Sequence, residues 1–422
     1  MPERGRFRAG GLAAVLLASL WTFAPSGAAR AQCPESGGQP IPEARDPVPR
    51  AQVVFRGHGL GHGLGMSQYG AQGAARLGCT APEILTTYYP GTRVAGAAMP
   101  SKVTVQLIEN ARRAAVTRIT GTIRWRNGGK LIHVQRSGTV KVRKIGATRA
   151  ALVVRGVRVW TGTVAGNGLV AAQRRGIVRL GSPTDTYGKL PMVLRWDRIV
   201  FRVGSAGMDV DKVLLDNGHG RAMDKYLLGL AEVPPDWPTH ALRAQVIAAR
   251  TYALERADGL LPTVAHQNWN GYAYEALAGD RWRNAVWATS GRIVVDVFGQ
   301  SIDAFYSSSM GGWTEDKVYS WGGSPILYLS PVNDSQWTRA SDNPASTLAW
   351  TRGFTRQQVA GALGFQSVTR VFVYPRGDPR RVMGVRVTGI KARRQVTEWF
   401  TGDRIRIALG LPSPGFVVRN NP

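Results

Sequence analysis

A run of alternating glycines near the start of the chain restricts its local structure more than any other segment. Residues 55–71 read FRGHGLGHGLGMSQYGA, with five glycines from Gly57 to Gly65 and two histidines among them. Each interior glycine costs a helix about 1 kcal/mol relative to alanine, and glycine readily takes positive φ angles. The run therefore predicts a tight, non-helical loop between strands. His58 and His62 have a zinc-pair spacing only on a helix, so we expect no metal and no cofactor.

The first residues have the pattern of a secretory signal. Three arginines (Arg4, Arg6 and Arg8) precede an apolar run, and small residues surround Ala29 to Ala31. This pattern predicts a signal peptide over 1–31 that is cleaved before Gln32. The apolar run is short and interrupted compared with the roughly 20 residues of a membrane span. We therefore expect an extracytoplasmic protein, secreted or associated with the cell wall, with no stable membrane span.

The whole chain is strongly basic. It has 54 lysines and arginines against 27 aspartates and glutamates, a formal net charge of +27. A field of this sign attracts polyanions. For an exported protein the abundant polyanions are phosphate-rich wall polymers and the carboxylates of muramic acid, whereas nucleic acid is not an expected partner. The charge has a second interpretation, in which it only retains the protein at the wall.

Only two cysteines are present, Cys33 and Cys79. In an oxidising compartment an even number of cysteines favours a disulfide. The alternative is that both thiols stay unpaired.

The pattern of apolar residues predicts an α+β fold with a β-rich core. Segments between 101 and 210, such as the one around Asn127-Gly128-Gly129, alternate in strand fashion and contain hairpin signals. The segment from Thr239 to about Ala257 is predicted to be a helix. Its apolar residues fall on nearly every side, which indicates a buried helix. Further predicted elements are a strand over 293–307 and helices at 279–290 and 355–363. The predicted organisation is a signal peptide (1–31), an extended leader (32–51), a glycine-histidine segment packing with the C-terminal domain (52–100), a β-rich region (101–210) and a C-terminal domain (211–422).

Several blocks of the sequence resemble the stage II sporulation protein D family, which includes cell-wall lytic transglycosylases and amidase enhancers. The blocks are the glycine-histidine run, Tyr226 to Pro234 (YLLGLAEVP), Ala241 to Ala253, Ala304 to Glu315 (AFYSSSMGGWTE) and, more weakly, Arg404 to Phe416. In better-known members the glycine-histidine block follows the others, whereas here it precedes them. This order resembles a circular permutation, which requires chain ends that lie close together. We therefore expect residues near 52–70 to pack beside residues near 405–418.

The resemblance implies a catalytic role for one glutamate, Glu232, as the general acid and base of a lytic transglycosylase. Burial against Val233, Pro234 and Trp237 is expected to raise its pKa. The alternative is a structural role for Glu232, paired with an arginine such as Arg250. Arg250 and Gln245 on the buried helix are expected to support the structure.

The glycine-histidine and serine-rich blocks are expected to bind substrate and to converge with Glu232 on one cleft. The candidate substrate-binding residues are His58, His62, Ser67, Gln68, Ser307, Ser308, Ser309, Gly311 and Gly312. The serine-rich segment has a second interpretation as an ordinary polar turn. The implied partners are peptidoglycan glycan strands, anionic wall polymers and a wall amidase. Two functions remain open from the sequence: a lytic transglycosylase, or a non-catalytic, glycan-binding enhancer of an N-acetylmuramoyl-L-alanine amidase.

Overall fold

The structure is a computed structural model that describes residues 33–43, 52–376 and 381–420. The predicted signal peptide (1–31) and residues 32 and 44–51 of the predicted leader lie outside the described residues. The helices are α1 (Gln68–Arg76), α2 (Ala81–Tyr88), α3 (Ala222–Leu228), α4 (Thr239–Leu254), α5 (Tyr272–Ala288), α6 (Lys317–Trp321), α7 (Ser335–Arg339), α8 (Ala345–Leu348), α9 (Arg356–Leu363) and α10 (Gly402–Leu409).

The strands fall into a dense middle group and two flanking groups. The first strands are β1 (Val53–Gly57), β2 (Met66–Ser67), β3 (Arg93–Gly96), β4 (Lys102–Ala111), β5 (Arg113–Arg118), β6 (Ile123–Asn127), β7 (Lys130–Gln135), β8 (Thr139–Lys144), β9 (Arg149–Val154), β10 (Val157–Thr163) and β11 (Leu169–Ala172). The remaining strands are β12 (Val178–Gly181), β13 (Met192–Leu194), β14 (Arg198–Val203), β15 (Met208–Leu215), β16 (Arg292–Val295), β17 (Tyr306–Ser307), β18 (Trp350–Phe354), β19 (Ser367–Arg376), β20 (Arg381–Lys391), β21 (Arg394–Phe400) and β22 (Phe416–Asn420).

The middle of the chain forms two six-stranded antiparallel sheets. Their strand orders are β10-β9-β8-β5-β12-β13 and β4-β15-β14-β11-β6-β7. Alternating apolar residues of these strands are buried, and Trp125 stacks on Phe201 with ring centroids 5.7 Å apart. The same core continues without a break into α3, α4 and α5, where it includes Tyr226 and Trp282. The predicted α+β fold with a β-rich core is confirmed.

The start of the described chain packs against its end. β1 is the central strand of a three-stranded sheet, with β18 on one side and β22 on the other. Val53 is opposite Asn420 and Gly57 is opposite Phe416. Beyond the strand, the Gly61 amide donates to the Pro412 carbonyl at 2.9 Å. The proximity of residues near 52–70 and 405–418, expected from the altered order of blocks, is confirmed.

Helix α4 lies in the middle of the fold. Twelve of its sixteen residues are buried, because its apolar positions surround the helix as the sequence predicts. It packs against α1, α2, α3 and α5 as well as β16. This helix therefore links the glycine-histidine segment to the segment that carries Glu232.

Some element boundaries differ from those predicted. The strand expected over 293–307 stops at Val295, because the Asp296 side chain accepts hydrogen bonds from the Phe298 and Gln300 amides and turns the chain. The helix expected at 279–290 matches the second part of α5, which follows a break at Gly279, whose φ is +61°; the helical turns from Tyr272 to the break were not expected. Such local turns depend on side-chain bonds that apolar periodicity does not report.

Cys33 and Cys79 form the disulfide expected from the sequence, with Cα atoms 4.4 Å apart. Cys79 is fully buried in a second core that also contains Tyr88, Tyr89 and Trp337. The bond fastens the segment that begins at Cys33 to the end of α1. Among the residues that the structure describes, none of the helices is long and apolar enough to span a membrane.

Candidate functional site

Glu232 lies in the loop between α3 and α4, and neighbouring backbone fixes that loop. Leu230 forms a β-bridge with Trp269, and the Ala231 amide donates to the Asn268 carbonyl at 2.8 Å. In return the Asn268 amide donates to Oε1 of Glu232 at 2.6 Å. The loop therefore holds one carboxylate oxygen of Glu232 in a defined position.

The second oxygen of Glu232 faces the glycine-histidine block. The Gln68 amide nitrogen lies 3.4 Å from Oε2 of Glu232 and also donates to Oε1 of Gln245 at 3.3 Å. Gln68 is the first residue of α1 and Gln245 is buried on α4. Gln245 thus orients the Gln68 side chain so that its donor points at the carboxylate.

Tyr306 reaches the carboxyl of Glu232 from the serine-rich block. Its hydroxyl hydrogen-bonds to Glu232 and accepts a bond from the Gln267 amide nitrogen at 2.8 Å. The Gln267 side-chain oxygen in turn accepts from the Tyr226 hydroxyl at 2.8 Å. Because Gln267 occupies an acceptor position of the phenol, the Tyr306 proton is available to Glu232. The three sequence blocks thus meet at the carboxyl of Glu232, which Gln68 and Tyr306 contact.

The environment of Glu232 disfavours its charged form. Burial raises the pKa of the carboxyl above its usual value. Glu232 is half-buried, so part of the residue still contacts solvent. The hydrogen bonds from Asn268, Gln68 and Tyr306 and the positive charge of Lys189 act in the opposite direction and are weaker. A carboxyl with a raised pKa can hold a proton nearer to neutral pH, as a general acid requires.

Lys189 brings a positive charge to the site from the β-rich region. It lies between β12 and β13, in a turn where the Asp185 side chain accepts from the Lys189 and Leu190 amides. Its ammonium donates to the side-chain oxygens of Asn268 at 2.6 Å and Asn270 at 2.8 Å. Burial lowers the pKa of Lys189, and the charge of Glu232 opposes that change. No sequence motif identifies this lysine.

A cavity of about 250 Å³ lies beside this lysine. Its walls include Lys189, Met192, Asn270, Tyr274 and Leu277. The Tyr274 hydroxyl donates to the Val233 carbonyl at 2.7 Å, which places this wall next to the Glu232 loop. The cavity therefore combines an apolar surface with one cation, close to a carboxyl that can act as an acid.

The glycines of the block allow it to lie directly on the serine-rich block. A Cβ atom on Gly65 would lie 2.0 Å from the Phe305 carbonyl oxygen, and one on Gly61 would lie 2.4 Å from the Ser307 Cβ. Both glycines have positive φ angles. Next to this contact β2 and β17 pair in parallel, with Met66 opposite Tyr306. The predicted loop is present up to Gly65, whereas from Gln68 onward the run is helical.

Each of the two histidines of the block contacts a backbone carbonyl through its ring. The His62 Nε2 donates to the Tyr306 carbonyl at 3.0 Å and its Nδ1 accepts from the Leu64 amide at 3.1 Å. Burial, and to a smaller extent the Arg406 charge, lowers the pKa of His62 to about 4, so the ring is neutral at pH 7. His58 contacts the Pro42 carbonyl at 3.1 Å. These bonds use the ring nitrogens of His62 to hold the loop, and the substrate-binding role expected for the two histidines stays a prediction.

Several other candidate binding residues are buried within the protein. Ser67 caps α1 by accepting from the Gly70 amide, Ser307 accepts from the Gly63 amide, and Ser309 accepts from the Asn343 side chain. The buried members of the candidate set are Ser67, Gln68, Ser307, Ser309, Gly311 and Gly312. Of these only Gln68 reaches Glu232. Ser308 is half-buried and its carbonyl accepts from the Tyr69 amide. The hydrogen bonds of these serines lie within the protein, and a substrate-binding role for the buried serines and glycines stays a prediction.

Arg250 is fully buried and does not pair with Glu232. Its guanidinium donates to the Asp224 carboxylate at 3.1 Å and to the carbonyls of Val286 and Arg292, each at 3.2 Å. These contacts tie α4 to α3, α5 and β16. They match the anchoring role expected for this arginine, and they leave Glu232 to the neutral donors described above.

Among the described residues there is no group of three or more histidines, cysteines, aspartates or glutamates that could hold a metal ion. The Glu232 carboxyl is contacted by the Asn268 backbone amide, the Gln68 side-chain amide and the Tyr306 hydroxyl. None of these groups carries a negative charge. Close by, Tyr69 and Trp237 pack with ring centroids 5.2 Å apart, and Tyr69 is half-buried.

Comparisons with known proteins fall on the part of the chain that contains Glu232. The profile of the family described as Stage II sporulation protein matches residues 221–295, which run from the start of α3 to the end of β16. The protein named Amidase enhancer from Bacillus subtilis (strain 168) is 34% identical over 129 residues. That alignment covers 30% of this chain and 16% of the relative's own length. No solved structure gives a significant match. On these matches, residues 221–295 of this chain are similar to the family described as Stage II sporulation protein, and the chain is similar over part of its length to the amidase enhancer.

Proposed function

We propose that this protein acts outside the cytoplasm on cell-wall peptidoglycan, as a lytic transglycosylase that cleaves glycan strands between N-acetylmuramic acid and N-acetylglucosamine. The observation that carries the proposal is the state of Glu232. Its carboxyl is held at the meeting point of three separate segments and has a raised pKa. Similarity to the Stage II sporulation protein family over residues 221–295 and to a relative named Amidase enhancer supports a role at the wall.

In the proposed reaction one carboxyl does the work of two. Protonated Glu232 gives its proton to the glycosidic oxygen as the bond from that oxygen to the muramic C1 breaks. The 6-hydroxyl oxygen of the same muramic residue then bonds to C1, and its proton passes to the Glu232 carboxylate. The products are a 1,6-anhydromuramic end and a free hydroxyl on the departing sugar, and Glu232 is protonated again. Hydrolytic glycosidases instead use a second carboxylate, to activate water or to attack C1.

The charge and cavity beside Glu232 fit a strand without peptides. When the peptide is absent, the lactyl group of muramic acid ends in a free carboxylate. We assign Lys189 to bind that carboxylate, with the adjacent cavity receiving the neighbouring sugar substituent. An ammonium group at a partly buried position attracts a carboxylate more strongly than it would in bulk water, because the local dielectric is lower.

A second function, enhancement of a wall amidase without catalysis, is favoured by the name of the curated relative. In that case the surface around Glu232 and Lys189 binds glycan strands and presents them to an amidase. The proton of Glu232 then has no chemical role.

Substitution of Glu232 by glutamine separates the two functions. The variant keeps the shape of the side chain and loses its ionisable proton. For the enzyme, we expect strand cleavage to fall by about 10²- to 10⁴-fold while strand binding remains. The assay digests peptide-free strands and detects 1,6-anhydromuramic ends by mass spectrometry.

Glu275→Gln is the matched control, because Glu275 is also buried, also has a raised pKa and pairs with Arg195 away from Glu232. This variant should cleave at close to the wild-type rate. If neither the wild type nor Glu232→Gln cleaves strands, while both bind strands and stimulate a wall amidase equally, the enhancer function replaces the enzymatic one.

A further inference from the structure

The sheet formed by β19, β20 and β21 has one face in a core and one face toward solvent. Val371, Val385 and Val387 point inward and are at most 2% exposed. On the outer face, Phe372 is opposite Arg386 and Arg386 is opposite Trp399, so these three side chains form a row across all three strands. This face lies outside residues 221–295, which the family profile matches.

Aromatic rings on the outer face form a continuous surface. Phe372 and Tyr374 have ring centroids 4.6 Å apart, and Tyr374 and Trp399 have centroids 4.7 Å apart with an interplanar angle of 32°. Trp399 is 60% exposed. Its ring lies over Gly384, where an added Cβ would come within 3.2 Å of the indole. The absence of a side chain at Gly384 thus lets the indole lie flat on the sheet, with its other face toward solvent.

Cations accompany these rings. The Arg386 guanidinium lies 5.5 Å from the centroid of Phe372 and 5.7 Å from that of Tyr374. The Arg370 guanidinium lies 5.6 Å from the centroid of Phe372. Stacking on aromatic rings restrains a guanidinium without using its hydrogen-bond donors. The donors of both arginines are therefore held where a ligand on the rings can reach them.

We propose that this aromatic face, defined by Arg370, Phe372, Tyr374, Arg386 and Trp399, is a binding platform for an anionic polysaccharide. The apolar faces of pyranose rings stack on the exposed indole and its neighbour, and acidic substituents of the sugars pair with the two guanidinium groups.

Charge and shape favour this occupant. Both charged side chains of the platform, Arg370 and Arg386, are arginines, which pair with planar carboxylates through two parallel hydrogen bonds. A cavity of about 140 Å³ opens beside Arg370 and Phe372, between β19 and β22, and its size suits a sugar substituent. The platform would hold a strand whether or not Glu232 cleaves it, so the inference goes beyond the proposed function.

Fluorine NMR of protein labelled with 5-fluorotryptophan gives a local test. The Trp399 resonance is assigned by its loss in Trp399→Phe. We expect it to shift when peptide-free peptidoglycan strands are added to the Glu232→Gln protein, which prevents turnover. Trp287 is the matched control, because it is 57% exposed and has Arg283 5.8 Å from its ring centroid on α5. Its resonance should not shift.

Affinity measurements then separate stacking from charge. Trp399→Ala should weaken binding of strands and of uncharged chito-oligosaccharides by about tenfold, roughly one aromatic contact. The double variant Arg370→Gln with Arg386→Gln should weaken binding of strands only. An unshifted Trp399 resonance, or equal affinities of Trp399→Ala and Trp287→Ala, would overturn the proposal. If Trp399→Ala loses more affinity for oligo-deoxythymidine than for glycan strands, the face is instead a nucleic-acid-binding surface. Cleavage by the wild type is measured separately, so failure of the platform and failure of the enzymatic function are distinct results.

Discussion

At the scale of single residues, the carboxyl of Glu232 has hydrogen-bond donors at both oxygens and one cation, Lys189, whose charge acts on it. The donors alone would favour the ionised form, but burial outweighs them and raises the pKa. A buried ion pair with Arg250 would have lowered the pKa instead. The separation of Arg250 from Glu232 is therefore what leaves Glu232 suited to proton transfer.

The raised pKa of Glu232 predicts a cost in stability. Because its pKa is higher in the folded than in the unfolded state, the folded protein binds the proton more tightly. The favourable contribution is complete below the unfolded pKa of about 4.5 and is lost as the pH rises through the folded value. Glu232→Gln has no such titration. We therefore expect the difference in melting temperature, Glu232→Gln minus wild type, to become more positive from pH 4 to pH 7. A difference that does not depend on pH would contradict the buried, perturbed carboxyl.

Lys189→Met tests the cation beside the acid. The substitution removes the positive charge that favours ionised Glu232, so the basic limb of the pH–rate profile should move to higher pH. Without its partner the substrate carboxylate should bind more weakly, with KM for peptide-free strands rising by about tenfold, the loss of one charged hydrogen bond. Lys141→Met, at an exposed position on β8, is the control and should change neither quantity. An unchanged pH profile in Lys189→Met would place the lysine outside the reaction.

Sequence alone could identify Glu232, because the YLLGLAEVP block resembles a family motif. It could not identify Lys189, whose partners Asn268 and Asn270 are about 80 residues away in the chain. Residue type also does not reveal that polar atoms of His62, Ser307 and Ser309 bond to the protein backbone and side chains.

At the scale of elements, the glycine-histidine block acts as a close-fitting layer on the serine-rich block. Gly65→Ala should be strongly destabilising, because its Cβ would meet the Phe305 carbonyl oxygen at 2.0 Å and its φ is +72°. Gly138→Ala is the matched control: its φ is +63°, but nothing lies within 4 Å of an added Cβ. The control should lose only the roughly 1–2 kcal/mol of a left-handed backbone. Thermal unfolding of both variants measures the difference, and equal losses would show that the close contact is unimportant.

Elements with strong periodicity were predictable and those set by single side chains were not. The hairpin of β6 and β7 and the buried helix α4 follow directly from alternating and all-round apolar patterns. The early end of β16 depends on the Asp296 side chain, and an additional stretch of helix precedes the break in α5 at Gly279. Neither feature changes the apolar pattern, so the sequence did not indicate them.

At the scale of the whole molecule, the Cys33–Cys79 bond closes a loop with a sequence separation of 46 residues. A crosslink of this kind typically contributes about 2–4 kcal/mol by restricting the unfolded chain. The double variant Cys33→Ser with Cys79→Ser should therefore melt at a lower temperature, and a reducing agent should lower the wild type to the same value. The double variant itself should not respond to the reducing agent. A reduced wild type that melts like the oxidised protein would refute a stabilising bond.

The position of β1 between β18 and β22 also dictates the order in which the molecule can form. His58, just after β1, accepts a hydrogen bond from Ser413, which is 355 residues later in the chain. During synthesis, β1 therefore emerges long before either of its partner strands exists. Its apolar residues, such as the fully buried Phe55, must stay uncovered until the last strands arrive. Contacts this distant in sequence close slowly, because a long stretch of chain must be ordered first. Within the described part of the chain, the first strand made is thus among the last to be paired.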